Sequence, residues 1–410
     1  MSLDGILLKR QQSTSRALLW TNLLGEPLFT LYGFLGFILY KDLGASAFTI
    51  SLLVMLKPIV TILSFYWSAG LKGRCRKLKS NALWAGFWMR APFLLIPWVD
   101  SVWFVVAAAV NYMFFYRAGM PAWLEILKRN LKEGKRARWF SAGASLSYLE
   151  GVILSLGMGT VLDKDPGLWK VLFFGAALLG MGSLWFLKQI EVEEREELVI
   201  TPTLKELIVR PWKDSLELMR RRPDFSLFQW GFMLCGFGIM LIQPALPVLA
   251  VDWLGVSYLE MAAAVSVAKG LGFALSSPLW AGWFERVSIF QISGAVFLSV
   301  GLFPFLLALS PFGLEWFFLA YFWYGVGQGG SHLVWNMSGP VFAGNEESSR
   351  YTGVNVVMAG LRGTLAPGLG SVLAAFWGPI QVLCIGGVLC FTSGAWLIRK
   401  KIAAREIPSE

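Results

Sequence analysis

The sequence predicts an all-α polytopic membrane protein, its twelve transmembrane helices arranged as two six-helix parallel repeats. Three observations carry this expectation. Hydrophobic residues make up 56% of the 410-residue chain, charged residues only 15%, and mean hydropathy is +0.59. A soluble domain of that composition would not stay dispersed, so lipid is the main solvent. Apolar segments able to cross a hydrocarbon core of about 30 Å recur along the whole chain. Finally, the second half repeats the first at one fixed offset.

The apolar segments fall near 17–40, 46–70, 81–99, 101–121, 139–162, 168–188, 224–249, 258–283, 289–309, 315–340, 351–376 and 379–398. The first sixteen residues have no apolar core and no small-residue cleavage site, so the first span is expected to direct insertion itself. With the N-terminus inside, the cytoplasmic segments hold 28 of the 36 Lys and Arg and the outer loops three. That asymmetry predicts cytoplasmic N- and C-termini in a plasma (inner) membrane. It also accounts for the net charge of +10, through the inside-positive bias and attraction to anionic lipid, so no nucleic-acid partner is called for.

The longest polar stretch, 190–223, separates a half at 1–189 from a half at 224–410 and reads as a cytoplasmic linker. Leu204, Leu207, Ile208, Trp212 and Leu216 recur in it at helical spacing, as in an amphipathic helix lying on the membrane surface.

Sliding the chain by 212 residues brings Lys57 onto Lys269, Ser64 onto Ser276, Gly70 onto Gly282, Tyr112 onto Tyr324, Trp123 onto Trp335, Arg138 onto Arg350 and Gly151 onto Gly363. The word PFLL at 92–95 meets PFLL at 304–307. Matching of two merely hydrophobic segments scatters Leu and Ala identities; it does not hold Lys, Tyr, Trp and Arg in one register.

Several function classes are disfavoured. Cys75, Cys235, Cys384 and Cys390 show no metal or disulfide spacing, and His332 as the single histidine leaves nothing for a zinc site or a histidine triad. An enzyme, a metal site and a cofactor are therefore not expected. The glycine-rich stretches 359–370 and 324–330 follow no strand and end in no Gly-Lys-Ser/Thr, so close helix approach and bending around Pro367 explain them better than phosphate binding.

Two six-span halves of one orientation joined by a long cytoplasmic linker resemble the major facilitator superfamily of secondary transporters. The loop after the second span, GLKGRCRKLK, keeps Gly70 and the basic cluster of that family's motif but has Arg74 where an acid is usual. In the second half, Gly282 to Arg286 keeps an acid-Arg pair one residue early. The resemblance implies a small-molecule solute moved with a coupling ion by alternating access, in a monomer. It further implies that spans two and eleven meet, as do spans five and eight.

Ionisable residues inside spans are costly to insert and mark function. Lys57, Arg90, Arg117, Lys269 and Arg362 are five such cations, against the carboxylates Glu26 and Glu150. The positive excess points to an anionic substrate. Under the family arrangement Glu150 would pair with Lys269 as a latch, while Lys57 and Arg362 would hold an anion, a point charge and a bidentate fork together. Spans one and ten carry polar stripes at four-residue steps: Asn22, Glu26 and Thr30, and Tyr324, Gln328, His332 and Asn336. Gln243 and Asn355 would extend the cavity, though each taken alone reads as helix-packing glue rather than as a ligand. Arg117 reads as site or gate, and Arg90 as a scaffold charge with a structural partner or a lipid-facing snorkel. Glu26, followed by Pro27, is a candidate proton carrier or a permanent partner of Lys57, and Glu150 a second coupling candidate. Competing readings are a polyspecific efflux transporter of lipophilic compounds, suggested by 15% aromatic residues, and a non-transporting receptor or assembly factor of the same fold.

Overall fold

A computed structural model describes residues 3–68, 75–131, 133–192, 204–344, 346 and 348–399, and every regular element among them is helical. The helices are α1 Leu3–Lys41, α2 Ala47–Ser68, α3 Cys75–Arg90, α4 Val102–Asn130, α5 Glu133–Lys164, α6 Trp169–Lys188, α7 Leu204–Arg221, α8 Pro223–Leu241, α9 Ala245–Val248, α10 Tyr258–Ala262, α11 Lys269–Phe284, α12 Ile289–Ala308, α13 Leu314–Ala343, α14 Ser348–Trp377 and α15 Pro379–Arg399. Nine helical segments among the described residues are long and apolar enough to cross a membrane. Three helices at expected spans fall outside that set. The apolar run of α2 is short, α3 has only 16 residues and continues as a 3₁₀ helix over Ala91–Trp98, and Gly, Gln, His and Asn dilute the apolar character of α13.

Local chemistry sets many boundaries. Pro92 and Pro97 lack amide hydrogens, and α-helix gives way to 3₁₀ helix there. Ser288 and Gln291 form a reciprocal capping box at the start of α12. Gly344 and Gly378 end α13 and α14 at φ +53° and +87°, a backbone region that strains any residue with a Cβ.

Packing divides the chain into two compact units. The first holds residues 1–45, 59–202 and 257–259; the second holds 46–58, 203–256 and 260–410. Aromatic pairs fill the first: Phe93 stacks on Phe173 at 5.3 Å and Tyr32 on Tyr112 at 4.7 Å. At one end of it Asp163, on α5, accepts hydrogen bonds from the amides of Tyr258 (2.7 Å) and Leu259 (2.9 Å), while Asp42 accepts from the Tyr258 hydroxyl.

Glycine contacts bring the helices of the second unit together. Gly294 on α12 and Gly394 on α15 each face the other's carbonyl, which would lie 2.8 and 2.7 Å from an added Cβ. Gly272 on α11 faces the Phe322 carbonyl, and Gly325 on α13 faces that of Lys269. The indole of Trp280 then donates to the Val326 carbonyl at 2.8 Å. Residues 324–330 do serve close helix approach, because without side chains the backbones reach van der Waals contact. Within the expected linker, Leu204–Arg221 form α7, on which Val209, Trp212 and Leu216 are about half exposed. Gly70 and Arg74 lie outside the described residues, as does linker segment 193–203.

Candidate solute site

In the second unit, α2 crosses α14 where Gly363 meets Pro58 and Gly368 meets Met55; added Cβ atoms would lie 3.0 Å from Pro58 Cγ and 3.1 Å from the Met55 sulfur. The meeting of spans two and eleven is therefore present. It puts Lys57 and Arg362 each one residue before this crossing. Arg362 turns to α8, where its Nη1 donates to the Phe232 carbonyl at 2.6 Å and its guanidinium stands over the Phe232 ring at 4.2 Å. Gly236 leaves the room: a Cβ there would strike the guanidinium. Arg362 is 8% exposed and its Nε makes no hydrogen bond.

The polar stripe of span ten divides between roles. Tyr324 stacks on Phe303 at 4.3 Å, with Gln328 beside its hydroxyl. His332 meets Phe273 edge to face at 5.4 Å and lies within electrostatic reach of Lys269. Asn336 donates back to the His332 carbonyl at 2.8 Å. Asn355, expected to extend a cavity, is 1% exposed and spent on packing: its oxygen accepts from Gln229 and its Nδ2 donates to Ser338 at 2.9 Å. Gln243 donates weakly to the Ile239 carbonyl of its own helix end, at 3.4 Å.

In the first unit the stripe of α1 docks on a stripe of small residues on α5. Asn22 Nδ2 and Glu26 Oε1 would each lie 2.7 Å from a Cβ at Gly143 and Gly151. Ser147, midway, is within hydrogen-bond reach of Glu26. Glu150 lies within electrostatic reach of Glu26, and its Oε2 is buried without a hydrogen bond. The register of Gly143, Ser147 and Gly151, small residues at four-residue steps, was available in the sequence as the sign that α5 would carry the Glu26 stripe. Arg117 is exposed, with its guanidinium 5.9 Å from the Tyr116 ring.

Asn22 and Glu26 open onto a cavity of about 460 Å³ within this unit, lined also by Arg90, Tyr112, Tyr116 and Trp123. Arg90 is no lipid-facing snorkel. It is 5% exposed and points inward, because Gly25, Gly86 and Gly180 on three helices leave space for its guanidinium.

Comparison with protein families settles the class of the chain: residues 27–367 match the sequence model of the Major Facilitator Superfamily. The chain belongs to that superfamily. Comparison with curated protein sequences gives no match. Among solved structures of the superfamily fold, a point-mutant form of the nucleoside transporter NupG is similar at TM-score 0.70 and 15% identity, over 95% of this chain and 99% of that one. An auto-inhibited POT family peptide transporter is similar at TM-score 0.68 and 10% identity, over 97% and 99%. A POT family transporter in complex with 5-aminolevulinic acid is similar at TM-score 0.70 and 12% identity, over 93% and 94%. At such identities these likenesses speak for the superfamily fold alone. Family membership and the long apolar helices make the chain a multi-pass membrane protein.

Proposed function

We propose that this superfamily member is a secondary active transporter of a small anionic solute, working as a monomer by alternating access. Its layout is twelve spans in two six-helix repeats, with both termini on the cytoplasmic side of the plasma (inner) membrane. The observation that carries the anion is Arg362: a buried guanidinium whose hydrogen bond goes to a neutral carbonyl, and whose Nε makes none. A buried cation held by neutral groups favours an anion, and the α2–α14 crossing sets Lys57 next to the same helix junction. Lys57 supplies the point charge and Arg362 the fork, with Arg117, Lys269, Gln328, His332, Asn336, Asn22 and Gln243 as further polar groups of the pathway. Asn355 contributes through packing. An anion that neutralises two cations on helices that must approach one another makes closure depend on load, as differential affinity for two states requires. Proton coupling falls to Glu26, with Glu150 beside it; solute exchange is the alternative mode. Solved neighbours named for nucleosides and peptides support small polar solutes as the cargo class.

Uptake into proteoliposomes of labelled carboxylates, phosphate and nitrate, with and without an imposed pH gradient, tests the reading. Lys57→Met should abolish uptake of the transported anion while leaving the folded protein at wild-type yield. Uptake unchanged in both Lys57→Met and Arg362→Met would overturn the anion clamp.

A further inference from the structure

The cavity of the first unit contains a charge that the transport reading leaves unused. Arg90 donates from Nη1 to the Gly86 carbonyl of its own helix at 2.7 Å, and its buried Nε makes no hydrogen bond. Its surroundings are built to admit it. A Cβ would lie 3.6 Å from Nη2 at Gly25, 3.1 Å from Nη1 at Gly86 and 2.9 Å from Cδ at Gly180. Tyr112, itself 2% exposed, stands within electrostatic reach of the guanidinium. Arginine keeps its charge at any physiological pH, so burial cannot be relieved by losing a proton.

The rest of the wall is largely apolar and aromatic, including Phe115, Tyr116, Trp123, Met89 and Met120. About 460 Å³ is room for a ring-sized body and lies within the range of small-molecule sites.

We propose that this cavity is a binding site for a small monocarboxylate with an aromatic or other apolar body, its carboxylate held by Arg90 and its body lodged among Phe115, Tyr116 and Trp123. The guanidinium fork matches the two oxygens of a carboxylate, and Arg90 lines the cavity wall. The apolar wall replaces water around the rest of the molecule. Glu26 lines the same cavity and disfavours a second anionic group on the ligand, which selects monocarboxylates over dicarboxylates. The proposal uses neither Lys57 nor Arg362 and stands without the anion clamp.

Thermal unfolding of the purified full-length protein in detergent tests the site with phenylacetate, using 2-phenylethanol and phenethylamine as neutral and cationic matches of the same body. Phenylacetate should raise Tm and the other two should not, since a ligand that binds only the folded state stabilises it. Arg90→Met should weaken apparent phenylacetate affinity by about 10- to 100-fold, the worth of charge-assisted hydrogen bonds. Gly180→Ala pushes a Cβ against the guanidinium without removing its charge and should weaken binding as well. Lys57→Met should leave the phenylacetate shift intact, which separates failure of this site from failure of the anion clamp. The proposal is overturned by no shift with millimolar phenylacetate, by an equal shift with phenethylamine, or by an unchanged shift in Arg90→Met. If Arg90→Met does not fold, wild-type phenylacetate affinity in both Arg90→Lys and Gly180→Ala overturns it instead.

Discussion

Glu26 seats its carboxylate on Gly151: any side chain at 151 would place its Cβ 2.7 Å from Oε1. The obstructed atom is the free end of a side chain, so the helices need not move apart. Gly151→Ala should therefore change Tm little while displacing the carboxylate. If Glu26 carries the coupling proton, that variant and Glu26→Gln should both lose uphill accumulation in proteoliposomes and keep solute exchange. Loss of exchange together with accumulation would make Glu26 a structural group.

Glu150 and Glu26 are like charges on facing helices, and the Glu150 Oε2 is buried without a hydrogen bond. Removing one charge from such a site relieves repulsion and desolvation together. Glu150→Gln should raise Tm. A latch with a cation predicts the opposite, a loss of about 3 to 5 kcal/mol on stranding the partner, so the sign of the change decides between the two.

At the α11–α13 contact the obstacle is backbone. A Cβ at Gly325 would overlap the Lys269 carbonyl, and one at Gly272 the Phe322 carbonyl. Neither carbonyl can swing aside as a side chain can. Gly325→Ala and Gly272→Ala should each cost about 1 to 3 kcal/mol as overpacked sites, read as lowered Tm. Gly353→Ala, where an added Cβ meets nothing within 4 Å, is the control expected to be neutral.

Asp42 lies beyond the first span, and burial pushes its carboxyl above the ordinary value, offset in part by the Tyr258 hydroxyl and by Lys41. A raised value means that the folded protein holds this proton more tightly than the unfolded chain does. The stability it contributes is present below the unfolded value and is lost as pH rises through the folded one. Asp42→Asn keeps an acceptor for Tyr258 without that slope. Its Tm relative to wild type should improve from about pH 4, near the ordinary carboxyl value, to about pH 7, well above it. A relative Tm that improves toward acid instead would refute the account.

Helical class, the positions of the helices, the amphipathic α7 and the packing use of residues 324–330 were legible in the sequence by itself. Each depends on composition and on spacing within one segment, and a 3.6-residue period shows at that range. Only the tertiary structure decided which way the polar side chains turn. Arg362 faces Phe232 on α8, Glu150 joins Glu26, and Asn355 is spent on Gln229 and Ser338. Arg90, which as a residue on a membrane helix could have snorkelled to the lipid surface, enters a space left by Gly25, Gly86 and Gly180. The direction of a charged side chain around a helix depends on where a neighbour leaves a void or offers a carbonyl. Those neighbours come from helices distant in sequence, so no local pattern around Arg90 or Arg362 specifies them.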